Sequence, residues 1–200
     1  DGIRRSSATA DIVAWNWSWG MHEAPPQAEM IRALPGDVAV MCDMQRGRSK
    51  TVEGTEMIVD EYSFSYLGPS PLFTGTAEVC QETGRELWAK MMVNVTHEFL
   101  VVPYLPLYFR LAKKTIAIRD YNSRGWMGCW NYGGNATTPM AKLGSRIFTD
   151  DAFTEDHIDD AVQQLSQQLY GERADTAFRA WREFDAAFEY SPFDMALIYY

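Results

Sequence analysis

The chain has 200 residues, enough for one hydrophobic core or for a large part of one bigger domain. Its 27 acidic residues outweigh 18 basic ones, a net charge of −9 with no basic run, which argues against nucleic acid and anionic membranes as partners. No stretch is apolar for long enough to span a bilayer, and seven Trp and ten Tyr supply the flat aromatic surface on which small-molecule sites, sugar sites among them, are built.

Residues 1–10 read as a polar, unanchored tail. Residues 11–19 (DIVAWNWSW) predict a strand, in which Trp15, Trp17 and Trp19 would share one face and Asn16 and Ser18 the other. Pro25-Pro26 lead into a short helix over 27–34. Residues 37–43 (DVAVMCD) are a nearly continuous apolar run, the pattern of a strand buried on both faces in a parallel sheet. Residues 44–54, with Arg46, Arg48 and Lys50 between glycines, read as a polar loop.

A third strand is expected at 62–66 (YSFSY), broken by the Gly68-Pro69-Ser70-Pro71 stretch, then a short helix over 76–84. A fourth strand is predicted at 87–94 and an amphipathic helix at 106–120. A fifth strand covers 125–132 (GWMGCWNY). Thr154 caps the next helix, with Ile158, Ala161, Val162, Leu165 and Leu169 in one stripe, and Gly171 ends it. A last helix over 172–190 lines up Phe178, Trp181 and Phe188 as packing residues.

Strand starts near 11, 37, 61, 87 and 125 imply repeating βα units and parallel strands. Each predicted strand ends in polar or aromatic residues, and no glycine-rich phosphate loop follows the first one. A parallel (β/α) barrel brings all such ends to one face, whereas an open doubly wound sheet gathers only those at its switch point. The expected fold is therefore α/β, the C-terminal portion of a TIM barrel over residues 1–150, with a helical segment, 151–200, packed on it. Five such units fall short of eight, so a longer protein is expected, with self-association or contact with a missing N-terminal part of the same protein.

The segment 94–106 (NVTHEFLVVPYLP) concentrates the polar residues Asn94, His97 and Glu98 where an apolar strand ends. Glycoside cleavage needs two carboxyls, roughly 5–5.5 Å apart for retention and ~6.5–9.5 Å for inversion, one of them holding its proton through burial beside apolar rings. Glu98 is the best-placed candidate, with Asp43 at the end of the second strand as another. His97 reads as a hydrogen-bonding partner. Trp15, Asn16, Trp17, Asn94, Trp126, Trp130 and Asn131 complete a carbohydrate-binding wall. No metal or cofactor is expected, because neither His22-Glu23 nor Cys42, Cys80 and Cys129 have ligand spacing. The sparse cysteines favour a reducing compartment, cytoplasmic over secreted, and the Asn94-Val95-Thr96 glycosylation pattern reads as a chance match.

Three stretches, 94–106, GWMGCWNYGG at 125–134 and 170–193, resemble bacterial glycoside hydrolases built on (β/α)8 barrels, nearest to poorly characterised proteins related to β-N-acetylhexosaminidases. The resemblance covers about the last half of the chain. It implies that Glu98 is the catalytic glutamate after strand seven and Trp130 the aromatic floor on strand eight. It also implies an acid after strand four, where this sequence has Asn16-Trp17. The second carboxylate then falls to Asp43, to Glu61 or to a part of the protein not in this sequence, and a non-catalytic carbohydrate-binding barrel is the alternative.

Overall fold

The computed structural model describes residues 2–59, 63–94, 104–129 and 137–193. Four strands form one parallel sheet: β1 (Ile12–Trp15), β2 (Val38–Asp43), β5 (Leu87–Met92) and β6 (Gly125–Cys129), in the order β1-β2-β5-β6. The order follows the chain without reversal. Parallel crossovers are right-handed, so the connecting helices fall on one face of the sheet. These are α2 (Ala28–Ala33), α3 (Pro71–Thr83) and α4 (Tyr108–Asp120). The result is a mixed α/β fold with a curled sheet of the kind found in part of a barrel, not a doubly wound sheet.

Register and alternation fix which side chains share a face. Val40 pairs with Leu87 and Cys42 with Ala89; these and Met91 point into the helix layer, and none is more than 4 % exposed. Trp15, Met41, Asp43 and Lys90 fall on the other face, called the inner face below.

Among the described residues, the expected third barrel strand does not form. Residues 63–66 carry no strand pairing, and the chain instead makes an antiparallel hairpin of β3 (Arg48–Val52), within the expected loop 44–54, and β4 (Thr55–Val59), just after it. Its two-residue turn, Glu53-Gly54, has both φ angles positive, 48° and 79°, as a type I′ turn requires. The carbonyls of residues 63–66 are instead met by side chains. Lys114 donates to the oxygens of Ser63 (2.8 Å) and Tyr66 (2.5 Å), Arg110 to Phe64 (3.0 Å) and Lys50 to Ser65 (3.3 Å). Lys114 and Arg110 are fully buried. These four successive carbonyls are thus held by side chains and not by a neighbouring strand.

Several boundaries also differ from expectation. β1 ends at Trp15, and residues Trp19–Met21 form a 3-10 turn, so Trp15, Trp17 and Trp19 do not share a strand face. A short helix, α1 (Gly2–Ser6), occupies the predicted tail, with Arg4 paired to Asp37. α3 starts at Pro71, five residues before the predicted start, because the Ser70 hydroxyl accepts from the Phe73 amide at 3.3 Å. A helix that was not expected, α5 (Pro139–Phe148), is capped in the same way by Thr138. The C-terminal helices α6 (Ile158–Tyr170) and α7 (Ala174–Phe188) pack on α4. Tyr108 meets Trp181 with ring centroids 4.4 Å apart, Phe109 meets Phe178 at 5.5 Å, and Arg110 pairs with Glu189 at 2.6 Å.

Candidate functional site

Asp43 and Lys90 are register partners at the C-terminal ends of β2 and β5, with exposures of 0 % and 2 %. Removing two charged side chains from water costs several kcal/mol per ion unless specific contacts compensate. Trp15, at the end of β1, supplies two of them. Its indole N–H donates to Asp43 Oδ1 at 3.3 Å, and the Lys90 ammonium lies 3.5 Å from its ring centroid. A carboxylate, an ammonium and an indole are thus drawn together on the inner face by three neighbouring strands. The next rung closes above them: the Met44 amide donates to the Lys90 carbonyl at 2.9 Å. Such a group can bind a polar ligand, stabilise charge or exchange a proton, and buried ionisable side chains at strand ends mark candidate sites. Gln45, two residues beyond Asp43, is fully buried, and neither of its amide atoms has a hydrogen-bond partner.

One residue past Trp15, alternation turns Asn16 to the opposite side. It is 2 % exposed, and its amide nitrogen lies 3.4 Å from both Gln27 Oε1 and Thr76 Oγ1 in the helix layer. Its Oδ1 has no partner. Cys42 is in the same layer; burial, the largest influence, pushes its thiol up to about 12, so it stays protonated. Trp17 stacks obliquely on Trp15, 5.7 Å between centroids, and remains 38 % exposed. The Arg46 guanidinium lies 5.1 Å from the Trp17 ring and also donates to the Trp17 carbonyl.

Asn94 lies two residues beyond β5. Its side chain accepts from the Thr138 hydroxyl at 2.6 Å, while the same hydroxyl oxygen accepts from the Ala141 amide at 3.1 Å. Asn94 is therefore a tether between the end of β5 and the start of α5. Trp126 is set apart from the other predicted wall residues. The register Lys90↔Met127 puts it on the helix-facing side, and its ring abuts Gly144 of α5, where an added Cβ would come within 3.2 Å of it. Glu98, His97, Trp130 and Asn131, as well as Glu61, lie outside the described residues.

Of the predicted site residues, the structure thus brings together Trp15, Asp43 and Trp17, and places Asn16 behind them. Lys90 was missed. Its signal was one lysine inside the apolar run LWAKMM, on the face shared with Trp88 and Met92. Among the described residues no group of three His, Cys, Asp or Glu side chains is placed to hold a metal ion.

Fold and site together define a mixed α/β chain with a buried polar centre at the C-terminal rim of a parallel sheet. Set against known families, curated proteins and solved structures, the chain matches none of them.

Proposed function

We propose that the sheet is part of a (β/α)8 barrel and that its C-terminal rim is the carbohydrate site of a glycoside hydrolase. The observation that carries this reading is the fully buried Asp43 carboxylate, in contact with the Trp15 indole on the inner face. Asp43 is one of the two carboxyls the reaction needs, and Glu98, by its place in the sequence after β5, the strand beside β2 in the sheet, is the other. An ammonium beside a carboxylate favours the charged form, so Asp43 acts as nucleophile or charge stabiliser and Glu98 as proton donor. Trp15 orients Asp43, and Trp17, with Trp130 by sequence order, contacts the sugar.

A second reading, a barrel that binds sugar without cleaving it, draws support from Asn16. That residue stands where the resemblance places an acid, and its side chain belongs to the helix layer. A panel of nitrophenyl glycosides, hexosaminides included, separates the two. Turnover that falls at least about a hundredfold in both Asp43→Asn and Glu98→Gln supports hydrolysis. Sugar binding without turnover supports the second reading, and full turnover in both variants removes the assigned carboxyls.

A further inference from the structure

We propose that two copies of this chain close one (β/α)8 barrel, each supplying its four parallel strands, with β6 of one copy beside β1 of the other. This rests on the barrel reading above and names the partner that completes it. A twofold axis along the barrel keeps every strand parallel. The same seam then forms twice, and the ring closes at the eight strands of that fold.

Three observations support a second copy as the partner. The first is that the sheet is unfinished at both edges. Among the described residues, β1 and β6 each have one strand neighbour. Every residue of β2 is buried, whereas Cys129 is the only buried residue of β1 and β6. Val13 on β1 and Met127 on β6 are 38 % and 43 % exposed. Both belong to the inner face, since Val13 pairs with Ala39 and Met127 with Lys90. In a closed barrel such inward side chains pack in layers, and no edge is left to pair elsewhere.

The second observation is a trough of about 570 Å³ on that face, near the start of the strands, with Val13, Ala39 and Trp88 in its lining. Closure turns it into part of an enclosed interior. The third is charge. Arg124 immediately precedes β6, and Asp11 immediately precedes β1. Both are exposed, and both also line the trough. Parallel strands start at one rim, so each seam sets Arg124 of one copy against Asp11 of the other. Opposite charges on the two edges make the half-barrel self-complementary, as a twofold interface requires.

Sedimentation equilibrium of the 200-residue chain tests this. At micromolar concentration the wild type should have twice the 22.8 kDa mass of one chain. Val13→Asp changes a side chain that is partly exposed in the single chain, so its circular dichroism should match the wild type. Its dimer dissociation constant should rise at least about a hundredfold, because closure buries two carboxylates in the seams. Asp11→Arg should weaken the dimer at least about tenfold by setting like charges at both seams, and adding Arg124→Glu should recover it. A wild-type monomer overturns the proposal and leaves the edges to another part of a longer protein. An assembly larger than a dimer, a Val13→Asp chain that dimerises as the wild type does, or an Asp11→Arg loss that Arg124→Glu does not recover also overturns it. Failure of the hydrolase reading looks different: the dimer forms and responds to these variants, yet no glycoside is turned over.

Discussion

The two faces of the parallel sheet are both shielded from water along β2 and β5 but built on different principles. Toward the helices, Val40, Cys42, Leu87, Ala89 and Met91 form a purely apolar layer closed by α3 and α4. On the inner face, at the same depth of burial, Asp43 and Lys90 stand side by side under Trp15. The first arrangement is what folding alone favours. The second costs stability compared with well-packed apolar residues and is retained where charge has a task. The contrast shows that burial by itself does not distinguish core from site in this chain. The chemistry of the buried group does.

The comparison can be broken most forcefully at Lys90. Lys90→Met removes the buried ammonium that lies over the Trp15 ring and beside Asp43 in the strand register, and should cost about 3–5 kcal/mol in urea unfolding. Adding Asp43→Asn should recover a large part of that loss. Strictly additive losses would mean that the two side chains do not sense each other.

A smaller effect is expected at the other buried lysine, which serves architecture. Lys114→Met frees the carbonyls of Ser63 and Tyr66 and should lower stability by about 3 kcal/mol. Unlike changes at Asp43, it should leave KM for any glycoside unchanged in protein that remains folded. Thr138→Val removes the cap of α5 and the tether to Asn94 and should cost about 1 kcal/mol in the same unfolding assay.

The smallest effect concerns Asp185. Burial, the largest influence, raises its carboxyl above the usual carboxylate range, against the opposing pull of Arg110 and Lys113. A carboxyl whose folded value lies above its unfolded one binds more protons in the native state. Its contribution therefore weakens stability as pH rises through the window just above the ordinary carboxylate value. Asp185→Asn should flatten that part of the profile of midpoint against pH, and an unchanged slope would assign it to another group.

Much of the fold was legible because it rests on strong local patterns. The run DVAVMCD became β2, the 106–120 segment contains α4, and the stripe from Ile158 became α6. The hairpin β3–β4 was missed because its strands are mostly polar, although Glu53-Gly54 is a two-residue turn signal. The YSFSY stretch misled for a tertiary reason. Lys50, Arg110 and Lys114, two of them on α4, hold its carbonyls in place of a neighbouring strand, and no local pattern reveals that. At the site, Asp43 and Trp15 were readable as residues at strand ends. Trp126 was misassigned because its face depends on the pairing register with β5, which sequence alone does not provide. Lys90 has only a faint signal, a lone charge in an apolar strand, which needs a buried partner that the local sequence does not name.

The most direct test is the turnover of nitrophenyl glycosides by wild-type protein and by Asp43→Asn, with the folded fraction of each measured by circular dichroism. If the inner-face centre is catalytic, the wild type cleaves at least one glycoside of the panel, and the folded variant cleaves it at least about a hundredfold more slowly. A folded Asp43→Asn protein with wild-type turnover, or a wild-type protein that cleaves no member of the panel, contradicts that assignment.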